Sequence, residues 1–386
     1  MVSQPPAEDF RSRSGVCTFW KGRVALYGTL KVLGIGQGDS VLVPGYTGFS
    51  VPSAVSFTGA KPIYVDIDPE TFNLSLETIK AACSAHDGAS IRAVVVQHTY
   101  GIPANVEPIV PWARERGIAT IEDCAHIWGS RYRDTHGLWR EVGTAGDAAF
   151  YSSQWNKPVS TGIGGWVKVT DPKLEAGLRR FRDRECVSPS LREVLLLAGQ
   201  VAARQLLSSS RMYWLALTAY QYLYMRGLLV IGSSTPQEHR GHRPPGYAKR
   251  MSAFQEWLLK RQLAKTRVQA HRRRLKAVYD AALGASGLPV LTTPEYADPV
   301  LMRYPVRVGN KARVLAEARR RWIELGDWYK NPVQTEEDAD VELFGYRWGM
   351  CPEGERAARE VVNLPMHSRI TEEAARRSVD FLKELA

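Results

Sequence analysis

A chain of 386 residues, 44% hydrophobic and 24% charged, has the balance of an ordinary globular protein and the length for one large and one small domain. Five cysteines (Cys17, Cys83, Cys124, Cys186, Cys351) are odd in number and form no C-x-x-C pair, which excludes a zinc-ribbon or disulfide framework, leaves no metal site expected and suits a reducing cytoplasm. The formal charge of +11 is spread over the helix-like runs "RRFRDR" (179–184), "HRRR" (271–274) and "EARRRW" (317–322), none with a nucleic-acid-binding signature, so nucleic acid is not an expected partner.

The opening "MVSQPPAEDFRSRSG" lacks the apolar core of a secretory signal. Helix and strand patterns then alternate. Residues 24–34, "VALYGTLKVLG", read as a helix ended by Gly34; "SVLVPG" (40–45) and "KPIYVDI" (61–67) read as strands. "LETIKAACSA" (76–85) is a predicted helix, "IRAVVVQH" (91–98) a strand, "VEPIVPWARERG" (106–117) a helix and "IATIED" (118–123) a strand. "DAAFYSS" (147–153) and "GWVKVT" (165–170) are the next two strands. Val- and Ile-rich strands separated by helices of about ten residues imply an α/β domain with a mostly parallel sheet, whose ligands bind beyond the carboxyl ends of the strands.

Residues 187–246 break this alternation. They carry two apolar runs, "LREVLLLAGQVAARQLL" and "MYWLALTAYQYLYMRGLLVIG", and then the polar link "SSTPQEHRGHRPPGY". The second run approaches membrane-spanning length, but Gln221 and Arg226 interrupt it; a helical hairpin covered by protein is expected, with peripheral membrane contact as the alternative. One long helix (250–283) and a small α+β domain closed by the helix "TEEAARRSVDFLKEL" complete the chain. The expected organisation is a short arm (1–20), a large domain (21–186), the apolar insertion (187–246), a linking helix (247–283) and a small domain (284–386).

Lys157 sits in "FYSSQWNKPVSTGIGG" (150–165), between two strands and among Ser152, Ser153, Ser160, Thr161 and three glycines, which suit close backbone approach to a ligand. Asp123 ends a strand in "IEDCAHIWGS", with His126 three residues on. A lone lysine there is often a solvated charge and a lone aspartate a turn former. Together, an imine-forming lysine, hydroxyls, a glycine-rich loop and a carboxylate for a protonated ring nitrogen describe a pyridoxal phosphate site.

These segments resemble the DegT/StrS family of sugar aminotransferases, whose marks recur in order as "GIGQGDSVLVPGYTG", "GAKPIYVDIDPETFNL", "QHTYGIPANVEPI", "IEDCAHIWGS", "GTAGDAAFYSSQWNKPVSTGIGG", "RMSAFQ" and "CPEGERAAREVVNLPMH". The resemblance implies a fold type I pyridoxal phosphate-dependent transferase, a three-layer α/β large domain plus a small α+β C-terminal domain. It implies that Lys157, eight residues before Gly165, holds the cofactor. Asp123 is then the partner of the pyridine nitrogen, His126 lies near the phenolic oxygen, and Ser152 binds phosphate with the helix start Gly22, Arg23 and Val24. Arg23 stands where relatives have threonine, Gly48 where they have a ring-stacking aromatic, and Ala248 where they have an asparagine donated across a dimer. Tyr46 or Phe49 would then stack on the ring, and Arg23 would compensate for the missing asparagine. The implied partners are an amino donor (glutamate or glutamine), a keto-sugar, nucleotide-linked, and a second copy of the chain. A sugar dehydratase of the same family would replace Lys157; a non-catalytic regulator or membrane-associated scaffold would use a degenerate site.

Overall fold

The computed structural model describes residues 15–206, 234–264 and 267–385. In chain order its elements begin with β1 (Val16–Phe19), α1 (Gly22–Val32), β2 (Ser40–Pro44), α2 (Ser50–Ser56), β3 (Lys61–Val65) and α3 (Leu76–Ala85). Then come β4 (Ile91–Gln97), α4 (Val106–Glu115), β5 (Ala119–Asp123), β6 (Arg131–Arg133), β7 (Trp139–Glu141), β8 (Ala148–Ser152) and β9 (Gly165–Val169). Helices α5 (Pro172–Glu185), α6 (Leu191–Leu206), α7 (Pro236–His239), α8 (Ala253–Leu263) and α9 (Arg267–Ala285) follow. The chain closes with β10 (Ala297–Asp298), β11 (Arg303–Arg307), α10 (Lys311–Arg320), α11 (Pro352–Glu360), β12 (Val361–Pro365) and α12 (Glu372–Leu385).

The fold is α/β with a mostly parallel sheet. The alternation expected from Val24 to Thr170 is present, and Asp123 is the last residue of its strand. Four elements carry no usable sequence signal: β1, β6 and β7 have three or four residues each, and α2 is a seven-residue helix with Pro52 inside. The stretch expected as one helix over 250–283 contains two described helices, α8 and α9; Ala264 closes α8 by donating to Lys260 O. The second apolar run, with Gln221 and Arg226, lies outside the described residues, as does most of the short arm. Among the described residues no helix is long and apolar enough to cross a membrane.

Two compact units divide the chain, Met1–Leu33 with Phe150–Ala264 and Gly34–Ala149 with Lys265–Ala386. In the first, β9 lies between β1 and β8, and β1 pairs with it antiparallel, Phe19 opposite Gly165. Helix α1 crosses β9 so closely that a Cβ on Gly165 would overlap the Gly22 backbone, and one on Gly22 would lie 3.0 Å from Ser152 Cβ. Helix α5 starts where Asp171 accepts from Lys173 N (2.9 Å) and Pro172 takes the first-turn position that needs no donor.

In the second unit the strands run β5-β4-β2-β3, all parallel, with Gln97 opposite Asp123. Their central residues, Val41–Val43 and Ala93–Val96 among them, are fully buried, which explains the continuous Val-rich runs. Ser75 and Thr78 form a reciprocal cap at the start of α3. Strands β11 and β12 pair antiparallel, Tyr304 opposite Leu364, beside α10, α11 and α12.

Gly165→Ala sets a methyl group against backbone that has no rotamer to give. It should cost about 1–3 kcal/mol, as overpacking does, read as a lower urea midpoint with an unchanged slope.

Candidate active site

The loop between β8 and β9 in the first unit folds back on itself. Ser153 N donates to Gly164 O (2.9 Å), Thr161 N to Ser153 O (2.8 Å), and the Ser153 and Thr161 hydroxyls meet at 2.7 Å. Lys157 lies inside this closed loop, half-buried, its N–H on Gln154 O (3.0 Å). Trp155, two residues earlier, packs against a buried cluster of Trp20, Ile163 and Leu197, which Val201 and Phe254 also cover, and the Arg204 guanidinium sits 5.2 Å from its ring. The α6 helix from Leu197 to Arg204 therefore braces the lysine's loop. From the other side Gln255 Nε2 donates to Ile163 O (2.6 Å).

Ser152, at the end of β8, stands against the tip of α1. That helix has no side-chain cap at Lys21 and no acidic residue in its first turn, so its tip keeps the positive end of the helix dipole. Val24 N donates to Lys21 O (3.1 Å), which directs that amide into the chain rather than outward. Arg23 is committed elsewhere than expected: Nη1 donates to Glu238 Oε1 at 2.7 Å, and Lys21 Nζ reaches Glu238 Oε2 at 3.4 Å. Glu238 lies on α7, fully buried. Its carboxyl stays below the usual range; burial opposes this, but the Arg23 and Lys21 charges outweigh it. Burial and the Arg23 charge together pull the Lys21 amine down to about 8 against the attraction of Glu238.

Asp123 in the second unit is 4% exposed, and its Oδ1 accepts from Ala125 N (2.9 Å). His126 Nδ1 accepts from Tyr100 N (3.3 Å), so Nε2 carries the ring proton. Tyr100 achieves this with a left-handed backbone, φ 58°, followed by Gly101 at φ 96°, where a Cβ would lie 2.6 Å from Val300 O. Aromatic rings surround this corner. Tyr329 packs 4.5 Å from Tyr46 and 6.1 Å from His126, while Trp328 meets His126 edge-on at 5.4 Å. The Tyr46 and Tyr100 hydroxyls are 2.6 Å apart, and Gln97 Nε2 donates to Tyr46 O (3.0 Å). Lys311 Nζ, buried, holds Tyr329 by its carbonyl (2.9 Å). Burial first, then neighbouring Tyr100 and the Asp123 charge, push the Tyr329 phenol far above its ordinary value.

The first unit thus groups Lys157, Ser152, Gly22, Arg23 and Val24, and the second groups Asp123, His126 and Tyr46. Phe49 packs on Phe344 (5.3 Å). Ala248 O accepts from Val187 N, a backbone link only. Sequence reasoning missed Glu238, Tyr100 and Tyr329: the first lies in a polar link without periodicity, while "HTYG" and "GDWYKNP" hold the other two in plain view. His98, Glu122 and Cys124 approach closely enough to share an ion. However, His98 Nδ1 accepts from Ala104 N (3.0 Å) and Nε2 faces Glu122 Oε2 (3.1 Å), so both ring nitrogens are engaged by protein.

The model of the DegT/DnrJ/EryC1/StrS aminotransferase family matches residues 8–195 and 220–383. The chain belongs to this family. GDP-perosamine synthase of Escherichia coli O157:H7 is 39% identical over 157 residues, a match that spans only 41% of this chain and 41% of that protein. A pleiotropic regulatory protein of Geobacillus stearothermophilus is 26% identical over 368 residues, covering 94% of this chain and 82% of its own. Among solved structures, S. venezuelae DesV in complex with a ketimine intermediate superimposes with a TM-score of 0.71 at 26% identity, over 96% of this chain and 84% of that one. The family match skips residues 196–219, within the apolar insertion.

Glu122, next to Asp123, accepts from Gly143 N (2.9 Å), Ala145 N (2.8 Å) and Gly146 N (2.8 Å) as well as His98. Burial works against its charge, yet these donors hold its carboxyl below the ordinary value. Stability from this group is therefore complete above the unfolded-state glutamate value and is lost as pH falls through the lower folded one. Glu122→Gln should lower stability at neutral pH and flatten the acid limb of a stability-versus-pH curve measured by urea unfolding.

Proposed function

We propose that the chain is a pyridoxal 5'-phosphate-dependent aminotransferase, moving an amino group from glutamate or glutamine to a keto-sugar, nucleotide-linked. What supports it most is Lys157, held in a closed loop at the family spacing from Gly165, in a chain whose Asp123 is buried at a strand end. The donor set suits the cofactor: a primary amine, a buried carboxylate walled by aromatic rings, and a hydroxyl beside an uncapped helix tip. When bound, the cofactor supplies an aldehyde for amines to condense with and a ring that accepts the electron pair freed at the donor's α-carbon.

The Lys157 amine would hold the cofactor covalently and, when free, would serve as the base and acid for the proton at the donor's α-carbon. Asp123 would keep a ring nitrogen protonated through its charge, and His126, with Nε2 as donor, is suited to an anionic oxygen. Ser152 and the tip of α1 at Gly22 and Arg23 receive the phosphate with their N–H and O–H groups. Because the Arg23 guanidinium pairs with Glu238, its part at the phosphate falls to the backbone amide. We read the active form as a homodimer, with residues 187–246 covered by protein rather than by a membrane surface. A regulatory role is the second reading, favoured by the name of the Geobacillus relative that matches nearly the whole chain.

Borohydride reduction of protein incubated with pyridoxal phosphate should fix a pyridoxyl group on Lys157, located by peptide mass. Lys157→Ala should lose both this adduct and turnover of any amino donor; labelling elsewhere with activity intact would favour the regulatory reading.

Asp123→Asn keeps the side chain's size and removes its charge. Half-transamination should slow by at least ~10², the order for deleting a strong electrostatic contact in a site, as measured by stopped-flow absorbance at saturating cofactor.

A further inference from the structure

Two cationic side chains of the second unit have no task in this chemistry and, among the described residues, no ion-pair partner. Arg272, on α9, is 8% exposed, and its Nε is buried without a hydrogen-bond partner. Arg303, at the start of β11, lies close enough for its charge to act on Arg272. Among the described residues neither guanidinium makes a hydrogen bond or a salt bridge. Arg303 has only the Trp328 ring, 5.4 Å from its guanidinium carbon, and the longer-range charge of Glu324.

The neighbouring residue shows how unusual this is. Arg273, one position along the same helix, is paired with Asp298 and also donates to Gly129 O (3.1 Å). Arg23, buried in the first unit, has Glu238. Burying a charge without a partner costs several kcal/mol in general, and two like charges together cost more. Burial and then the Arg303 charge bring Arg272 down to about 10, and burial lowers Arg303 as well. A pair that weakens the unliganded fold is intelligible where its counter-ion arrives with a ligand.

Position narrows the ligand. Trp328, on which Arg303 rests, meets His126 edge-on at 5.4 Å, and His126 follows Asp123 by three residues. Planar guanidinium groups present paired N–H donors that match the two oxygens of a carboxylate or a phosphate. We propose that Arg272 and Arg303 form an anion subsite that receives a substrate's carboxylate or phosphate beside His126. This deepens the aminotransferase assignment and rests on it for the ligand being a substrate. Trp328 holds the Arg303 guanidinium by cation–π attraction, so that its free edge is presented before the anion arrives.

Thermal unfolding and titration calorimetry of the full chain test this without turnover. The probes are glutarate, which has the amino donor's carboxylates but no amine, and inorganic pyrophosphate, each against chloride at equal ionic strength. Either probe should raise the melting temperature of the wild type; glutarate alone doing so points to the donor, pyrophosphate alone to a phosphorylated acceptor. Arg272→Met keeps the apolar stem and removes the charge. Its melting temperature without ligand should equal or exceed that of the wild type, while its affinity for the effective probe falls roughly tenfold or more, as for a lost charge-assisted hydrogen bond. Arg303→Met should show the same loss and serves if the first variant does not fold. No anion-specific shift in the wild type, or a shift retained in both variants, overturns the subsite. Borohydride labelling of Lys157, measured in parallel, reports on the aminotransferase assignment independently.

Discussion

Three backbone N–H groups and one imidazole N–H converge on the fully buried carboxylate of Glu122, and the candidate site of the second unit is aimed by that convergence. Neighbouring strand residues point to opposite faces, so fixing Glu122 on one side of β5 turns Asp123 to the other. His98, at the end of β4, reads the same carboxylate with one nitrogen and the Ala104 amide with the other. The strand ends and the turns that follow them are thereby tied to a single charge. An isolated carboxylate could not survive there; one with four donors is held more firmly than any neutral group would be.

Much of this was legible in the sequence, for identifiable reasons. Strands β2, β4 and β5 are buried on both faces and so appear as unbroken Val and Ile runs, while α3 announces itself by period and cap. Asp123 could be placed at a strand end because the apolar run stops there. The roles of Tyr100, Tyr329 and Glu238 were not legible, because each depends on contacts between distant residues: Lys311 with the Tyr329 carbonyl, or Glu238 with Arg23, 215 positions away. Arg23 illustrates the limit. Its place at the start of α1 suggested a phosphate ligand, but position in a motif says nothing about which carboxylate will reach the side chain first. Elements of three or four residues, such as β1 and β6, are too short for any period to develop.

Buried arginine occurs here in two physical conditions. Arg23 is neutralised within its own unit, and its pairing with Glu238 joins the start of α1 to a polar segment far along the chain. Arg272 and Arg303 repel one another, and Arg303 alone leans on an indole ring. The first arrangement uses charge to hold the fold; the second leaves charge available at a cost to it. Proteins concentrate such local conflicts where binding occurs, because the ligand completes what the chain leaves incomplete.

Helix α6 also bears on how separable the parts of this chain are. Leu197 belongs to the buried cluster on which Trp155, two residues from Lys157, packs, and Val201 packs on the same cluster, yet both belong to the stretch that the family model passes over. A segment outside the shared plan therefore supplies part of the floor for a loop inside it. Excising residues 196–219 would not return the chain to the common family pattern. It would strip Leu197 from the cluster under a tryptophan next to the reactive lysine, so the segment is not a detachable module but part of the support of that loop.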